Sequence, residues 1–199
     1  MPTMTYQEEQ EAIYATHKDE EGLYGYRSTT YGMIWPWLKN LDFSSFLDVG
    51  CGQGALIGNV YCDRNTVHNP LELAVGFDVA RNQIERAKGI WKTTDIDFLV
   101  SDFREFEVEG KFDMVACWSV MLHIDPINIK GFCNRLKAWS GKYILIIDAE
   151  WLLHERDGTD QWHYDHKAAF TDWGEVVKEG YNHLSDNVDQ VMYLWRKFS

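Results

Sequence analysis

This sequence is short of positive charge: 19 lysines and arginines stand against 31 aspartates and glutamates, a formal net charge of −12 over 199 residues. Proteins that grip DNA or RNA neutralise phosphates with basic side chains, so a nucleic-acid substrate is disfavoured. The chain also lacks any apolar run near the roughly 20 residues that a bilayer-spanning helix needs. Its N-terminus opens on polar and acidic residues instead of a basic-then-apolar leader. The four cysteines, Cys51, Cys62, Cys117 and Cys133, include no C-x-x-C pair, and two of them lie in apolar segments, where small buried thiols are common. These absences lead us to expect a soluble, cytoplasmic protein with no membrane partner. What is present is 45% hydrophobic residues, enough for one good core, and a length that suits a single domain over residues 1–199.

The stretch around which the rest is arranged runs Phe46-Leu47-Asp48-Val49-Gly50-Cys51-Gly52-Gln53-Gly54-Ala55. It reads as a buried strand, a glycine turn and the first turn of a helix, a corner where backbone amides can approach a ligand. Gly50, Gly52 and Ala55 also satisfy the G-x-G-x-x-G/A dinucleotide fingerprint, which by itself is a weak signal. Asp48 separates the two readings. A carboxylate at the mouth of the strand repels a pyrophosphate and attracts a ligand that carries a sulfonium and an ammonium.

Two further apolar runs leave the same signature: Leu73 to Phe77 ends in Asp78, and Phe98 to Ser101 ends in Asp102. A fourth, Phe112-Asp113-Met114-Val115-Ala116-Cys117-Trp118, leads to Leu122-His123, and a fifth, Tyr143 to Ile147, ends in Asp148. Strands alternating with helical stretches imply a parallel α/β sheet, which binds ligands at the carboxyl ends of its strands. The ordered set of motifs closely resembles the class I S-adenosylmethionine-dependent methyltransferases over most of residues 46–198. That resemblance implies a Rossmann-like, doubly wound, mostly parallel seven-stranded sheet closed by an antiparallel C-terminal hairpin. It implies S-adenosyl-L-methionine as cofactor and S-adenosyl-L-homocysteine as product. By the same resemblance Asp48, Gly50, Cys51 and Gly52 would face the methionine portion and Asp78, with Val79, the ribose. Asp102 and Phe103 would face the adenine, and Cys117 and Trp118 the adenine or the acceptor.

Taken in order, residues 1–41 read as a segment covering the cofactor, residues 46–150 as the cofactor-binding core, and residues 151–198 as a lid with the closing hairpin. Tyr26 and Arg27, in a glycine-punctuated aromatic loop, are candidate contacts to the methionine end; a surface loop is the other reading. Thr30 to Leu41 reads as an amphipathic helix with a kink or break near Trp35, before Pro36. Cys62 to Pro70, with Asp63, reads as a polar loop. Trp151 to Phe170 has no clear period and joins apolar rings to polar tips, a surface suited to sugars and small polar rings, with His163 and Tyr164 as candidate acceptor contacts. Its His154, Asp160, His163, Asp165 and His166 match no standard zinc spacing, so a polar lid without metal is expected. A helix over about Thr171 to Glu179 would precede the hairpin.

The chemistry expected is in-line methyl transfer, for which the enzyme aligns nucleophile, carbon and sulfur. His123 is the candidate base for a hydroxyl or amine acceptor; its other reading is a histidine satisfied by packing and backbone. No Asn-Pro-Pro-Tyr motif of amino-group DNA methylases follows the fourth strand. A small molecule or glycan is therefore the expected acceptor. Protein or RNA methylation, a nucleotide-dependent oxidoreductase and a silent S-adenosylmethionine-binding protein are the alternatives.

Overall fold

The computed structural model describes residues 29–151, 162, 164–185 and 188–199. Seven strands form one sheet: β1 (Ser45–Val49), β2 (Leu73–Asp78), β3 (Asp97–Val100), β4 (Phe112–Trp118), β5 (Ser140–Trp151), β6 (Gly174–Ser185) and β7 (Val188–Lys197). Their order across the sheet is β3-β2-β1-β4-β5-β7-β6. The first five pair in parallel, and β7 runs antiparallel to both β5 and β6. The mostly parallel sheet with an antiparallel C-terminal hairpin is therefore as the motif order implied. The chain winds outward from β1 to β3 and then returns to β4 on the other side. The order reverses between β1 and β4, where an open α/β sheet leaves a crevice at its carboxyl edge.

The period of two along each strand sorts the core into two layers. Phe46, Ala74, Met114, Ala116, Leu145, Ile147, Met192 and Leu194 point to one face, covered by α1 (Thr29–Leu38), α2 (Ala55–Thr66) and α3 (Arg81–Ile90). Leu47, Val75, Phe77, Val115, Ile144, Ile146, Val191 and Tyr193 point to the other, covered by α4 (Pro126–Trp139) and α5 (His166–Phe170). Ile34 and Leu38 of α1 are fully buried, each worth roughly 1.5–3 kcal/mol by area removed from water. A polar tie adds direction: Thr30 Oγ1 donates to Gln190 Oε1 on β7 and accepts from Asn182 Nδ2 on β6 at 2.9 Å.

Three local expectations change. Pro36 does not break the helix at Trp35: α1 continues to Leu38, and the Lys39 amide still donates to the Trp35 carbonyl at 3.0 Å. Pro36 sits so near the helix end that only one backbone bond is forgone. The first half of the expected loop, Cys62 to Thr66, is the end of α2, and Asp63 is buried there, accepting from the Tyr31 hydroxyl at 3.0 Å. Finally, residues 174–179 belong to a strand that runs on to Ser185, where a helix was expected up to Glu179. Val176 packs on one sheet face and its neighbour Val177 on the other, the alternation of a strand, and the helix lies earlier, at His166–Phe170, capped by the Asp165 carboxylate. Residues 1–28 of the expected cofactor cover, with Tyr26 and Arg27, and residues 152–161 and 163 of the expected lid, with His154, Asp160 and His163, lie outside the described residues.

Candidate functional site

At the switch point β1 ends at Val49 and the backbone turns through Gly50, at φ 67°, and Gly52, at φ 52°. Both angles lie in the left-handed region that side chains strain to adopt. The Cys51 amide donates to the Phe77 carbonyl at 3.0 Å, tying the corner to β2. A Cβ added at Gly50 would meet Val120 at 2.6 Å, so that glycine lets the β4 exit loop close in; one added at Gly52 would meet nothing within 4 Å among the described residues. The corner thus opens at Gly52, leaving room for a ligand against bare backbone.

Two carboxylates flank this opening, on strand positions that share the α1–α3 face with Phe46 and Ala74. Asp48 is 1% exposed and accepts from the Ile57 amide of α2 at 3.2 Å. Burial, with a smaller contribution from Asp78, pushes its carboxyl up to about 8 against the pull of that amide. Asp78 takes the Gly52 amide on Oδ2 at 2.9 Å and the Ala80 amide on Oδ1 at 2.8 Å. Ala80, not Asp78, is the N-cap of α3. Asp78 therefore laces the glycine corner to the β2 exit, and as a carboxylate with about four acceptor sites it has room for a ligand hydroxyl besides these amides. Burial raises its carboxyl as well. Val79 follows, half-buried.

The other expected cofactor contacts are placed around the same edge. The Ser101 amide donates to the Asp78 carbonyl at 3.0 Å, which brings the β3 exit beside the β2 exit. There Asp102 is held by Arg104, through Nε at 2.9 Å, Nη2 at 2.5 Å and the backbone amide at 2.8 Å. Burial works to raise this carboxyl, but the Arg104 contacts win and hold it below the usual range. Any ligand amino group would share Asp102 with Arg104. Phe103 packs edge-on to Phe132 of α4, with ring centroids 5.1 Å apart. Cys117 is buried, and its thiol is pushed well up by burial, so it is a neutral lining atom and no nucleophile. Trp118 ends β4, partly buried against the α1–α3 layer.

His123 ends a 3₁₀ turn, Met121–His123, that leaves β4. Burial lowers its pKa while the charge of Asp148 works the other way, so the imidazole is neutral at pH 7 and able to accept a proton. Tyr164 is described, and its hydroxyl donates to the Ile124 carbonyl. Sequence reasoning left two residues of this edge without a role. Asp148, 1% exposed in the last third of β5, lies 3.1 Å from Nε2 of His166, itself buried. The signal was there: the apolar run of β5 leads into an acid, as those of β1 and β2 do.

Residues 42–187 match the methyltransferase domain family. The chain belongs to that family. Among curated relatives, the methyltransferase domain is 27% identical over 94 residues to the probable fatty acid methyltransferase of Pseudomonas putida, covering 45% of this chain and 22% of that one. The chain thus spans about a fifth of that relative's length. Among solved structures, N-methyltransferase NodS of Bradyrhizobium japonicum in complex with S-adenosyl-L-homocysteine matches with a TM-score of 0.74 at 14% identity, over 98% of this chain and 100% of that one. Magnesium protoporphyrin IX methyltransferase (ChlM) of Synechocystis with bound S-adenosyl-L-homocysteine matches with a TM-score of 0.67 at 13% identity, over 99% and 90%. At these identities the structural likeness speaks for the fold of the methyltransferase domain.

Proposed function

We propose that this methyltransferase domain binds S-adenosyl-L-methionine at the β1–β2 corner and transfers its methyl group to a hydroxyl or amine of a small molecule or glycan. The observation that carries the reading is the corner itself: backbone open at Gly52, with Asp78 bonded to that same glycine and Asp48 buried behind it. The corner fits the cofactor, because no described residue fills the space a Cβ would take and the nearby acids suit hydroxyls and cations. Asp78 would hold the ribose hydroxyls, Gly50 to Gly52 the methionine portion, and Asp102 with Phe103 the adenine. When bound, the cofactor supplies a methyl group activated on a sulfonium.

The remaining work falls to the chain. The β4 and β5 ends orient the acceptor; His123, neutral and half-buried at the β4 exit, takes the proton that the acceptor loses as its oxygen or nitrogen gains the methyl carbon. The names of the neighbours, one acting on protoporphyrin and one an N-methyltransferase, support a small acceptor, as does the acidic composition. A cytoplasmic setting belongs to the same proposal and accords with four cysteines that form no disulfide. The test is a methyl-transfer screen with S-adenosylmethionine over sugars, nucleosides, amines and small acids, with His123→Ala beside the wild type. Transfer to none of these classes, with cofactor binding intact, would point to a binding protein. Transfer unimpaired in His123→Ala would remove that residue as the base.

A further inference from the structure

His123 is gripped on both sides by one short segment. The Trp162 amide donates to the Leu122 carbonyl at 2.7 Å, and the Tyr164 hydroxyl donates to the Ile124 carbonyl; these two carbonyls belong to the residues directly before and after His123. Two residues further on, His166 reaches Asp148 in the last third of β5, Nε2 to Oδ2 3.1 Å, with side chains only 9% and 1% exposed. An ionised carboxylate only accepts, so whenever Asp148 is ionised the contact needs the hydrogen on Nε2. The imidazole is fixed from below as well: Asp165 caps α5 through the Ala168 amide at 2.9 Å, and the His166 ring lies 6.2 Å from that of Tyr193. Asp148 itself follows Ile147, whose carbonyl takes the Ser119 amide at 2.7 Å just after β4. The β4 exit, the last third of β5 and the residues Trp162, Tyr164 and His166 therefore meet around one histidine.

We propose that Trp162, Tyr164 and His166 form a positioning clamp for His123: Trp162 and Tyr164 fix its backbone, and the His166–Asp148 pair sets the charge beside it. The proposal rests on His123 as the proton acceptor and adds the groups that hold it ready. A neutral clamp without Asp148 would leave a half-buried imidazole a weak base. The carboxylate favours the imidazolium that forms as the acceptor loses its proton, the service an aspartate gives a catalytic histidine. Among the described residues, the charge of Asp148 from β5 acts on His123; His166 from α5 pairs with Asp148, the Cys117 thiol from β4 is pushed well up by burial, and Asp125 caps α4. Tyr164 then serves His123 and not the acceptor directly.

The test uses the full chain saturated with S-adenosylhomocysteine and needs no acceptor. Nitrogen-15 NMR of the histidine rings should show the His123 titration midpoint about half a pH unit or more lower in Asp148→Asn than in the wild type, since the charge that favours imidazolium is gone. His68, exposed on the far side of α2, should not move. His166→Gln, which keeps a donor for Asp148, should leave the midpoint near the wild-type value. If Asp148→Asn does not fold, Tyr164→Phe carries the test: the His123 and Ile124 amides should exchange with deuterium at least about threefold faster, the worth of a lost neutral hydrogen bond. An unchanged midpoint in a folded Asp148→Asn, or unchanged exchange in Tyr164→Phe, overturns the clamp. Neither readout depends on methyl transfer, so a failure of His123 as base, seen as undiminished transfer in His123→Ala, is distinguished from a failure of the clamp.

Discussion

Asp78 does two things with one carboxylate. It closes the glycine corner through the Gly52 amide and the β2 exit through the Ala80 amide, and it can accept further from a ligand hydroxyl at the corner. Asp78→Ala should therefore weaken S-adenosylhomocysteine binding by roughly 1.5–3 kcal/mol, about 10- to 150-fold, the worth of hydrogen bonds to a charged group. Glu85→Ala, an exposed acid on α3, is the control and should bind as the wild type. Asp63 cannot serve as that control, because it is buried against Tyr31. Calorimetry gives the comparison, and equal affinities for Asp78→Ala and Glu85→Ala would take Asp78 out of the site. Gly52→Val places a branched side chain in the open corner at a φ of 52°. It should abolish binding with a melting temperature only a few degrees lower, and a folded variant that binds normally would show that the ligand does not use this opening.

Whole elements are held by a few buried polar pins. Arg64, fully buried in the last turn of α2, donates to the Phe43 carbonyl at 2.5 Å and the Leu41 carbonyl at 3.4 Å, with its guanidinium 3.8 Å over the Phe43 ring. It joins α2 to the chain entering β1, and with β1 goes the glycine corner. Arg64→Ala should cost about 2–4 kcal/mol, from a cavity plus two carbonyls left unpaired, read as a lower denaturation midpoint. A variant as stable as the wild type would mean the guanidinium holds nothing. None of this was legible in the sequence, where Arg64 looks like any charged loop residue. The strands were legible because β1, β2, β4 and β5 are apolar runs, and the acids near the ends of β1 and β2, Asp48 and Asp78, lie on neighbouring strands of the sheet. The first half of β6 was not, since Glu175, Lys178 and Glu179 dilute its Val176-Val177 signal and only pairing with β7 settles the backbone. The Asp148–His166 contact was equally hidden, because its partners are 18 residues apart and meet only once β5 and α5 are packed.

At the scale of the molecule, the fold buries acid where its function needs it, and this should be visible in stability against pH. Asp48 binds its proton more tightly in the folded chain, at about 8, than in the unfolded chain, near 3.8. A group shifted this way stabilises the fold in full below its unfolded value and withdraws that support as pH rises through the window up to the folded value. Stability of the wild type without ligand should therefore fall more steeply between about pH 4 and pH 8 than that of Asp48→Asn, which keeps the shape and loses the titration. Asp102, Asp172 and Glu179 are shifted the other way, so their contributions change only at more acid pH. His123, lowered by burial, acts with opposite sign as the pH falls below its ordinary range, but it is common to both proteins and cancels in their difference. Ligand binding should run against this slope. The ammonium of the amino acid portion, set beside Asp48, favours the carboxylate, so S-adenosylhomocysteine should bind with release of a proton near neutral pH, seen as a binding heat that depends on the ionisation enthalpy of the buffer. In Asp48→Asn that dependence should shrink. Parallel stability curves for the two proteins, together with equal proton release, would mean that Asp48 is ionised in the free fold and that its burial is compensated by groups other than the Ile57 amide.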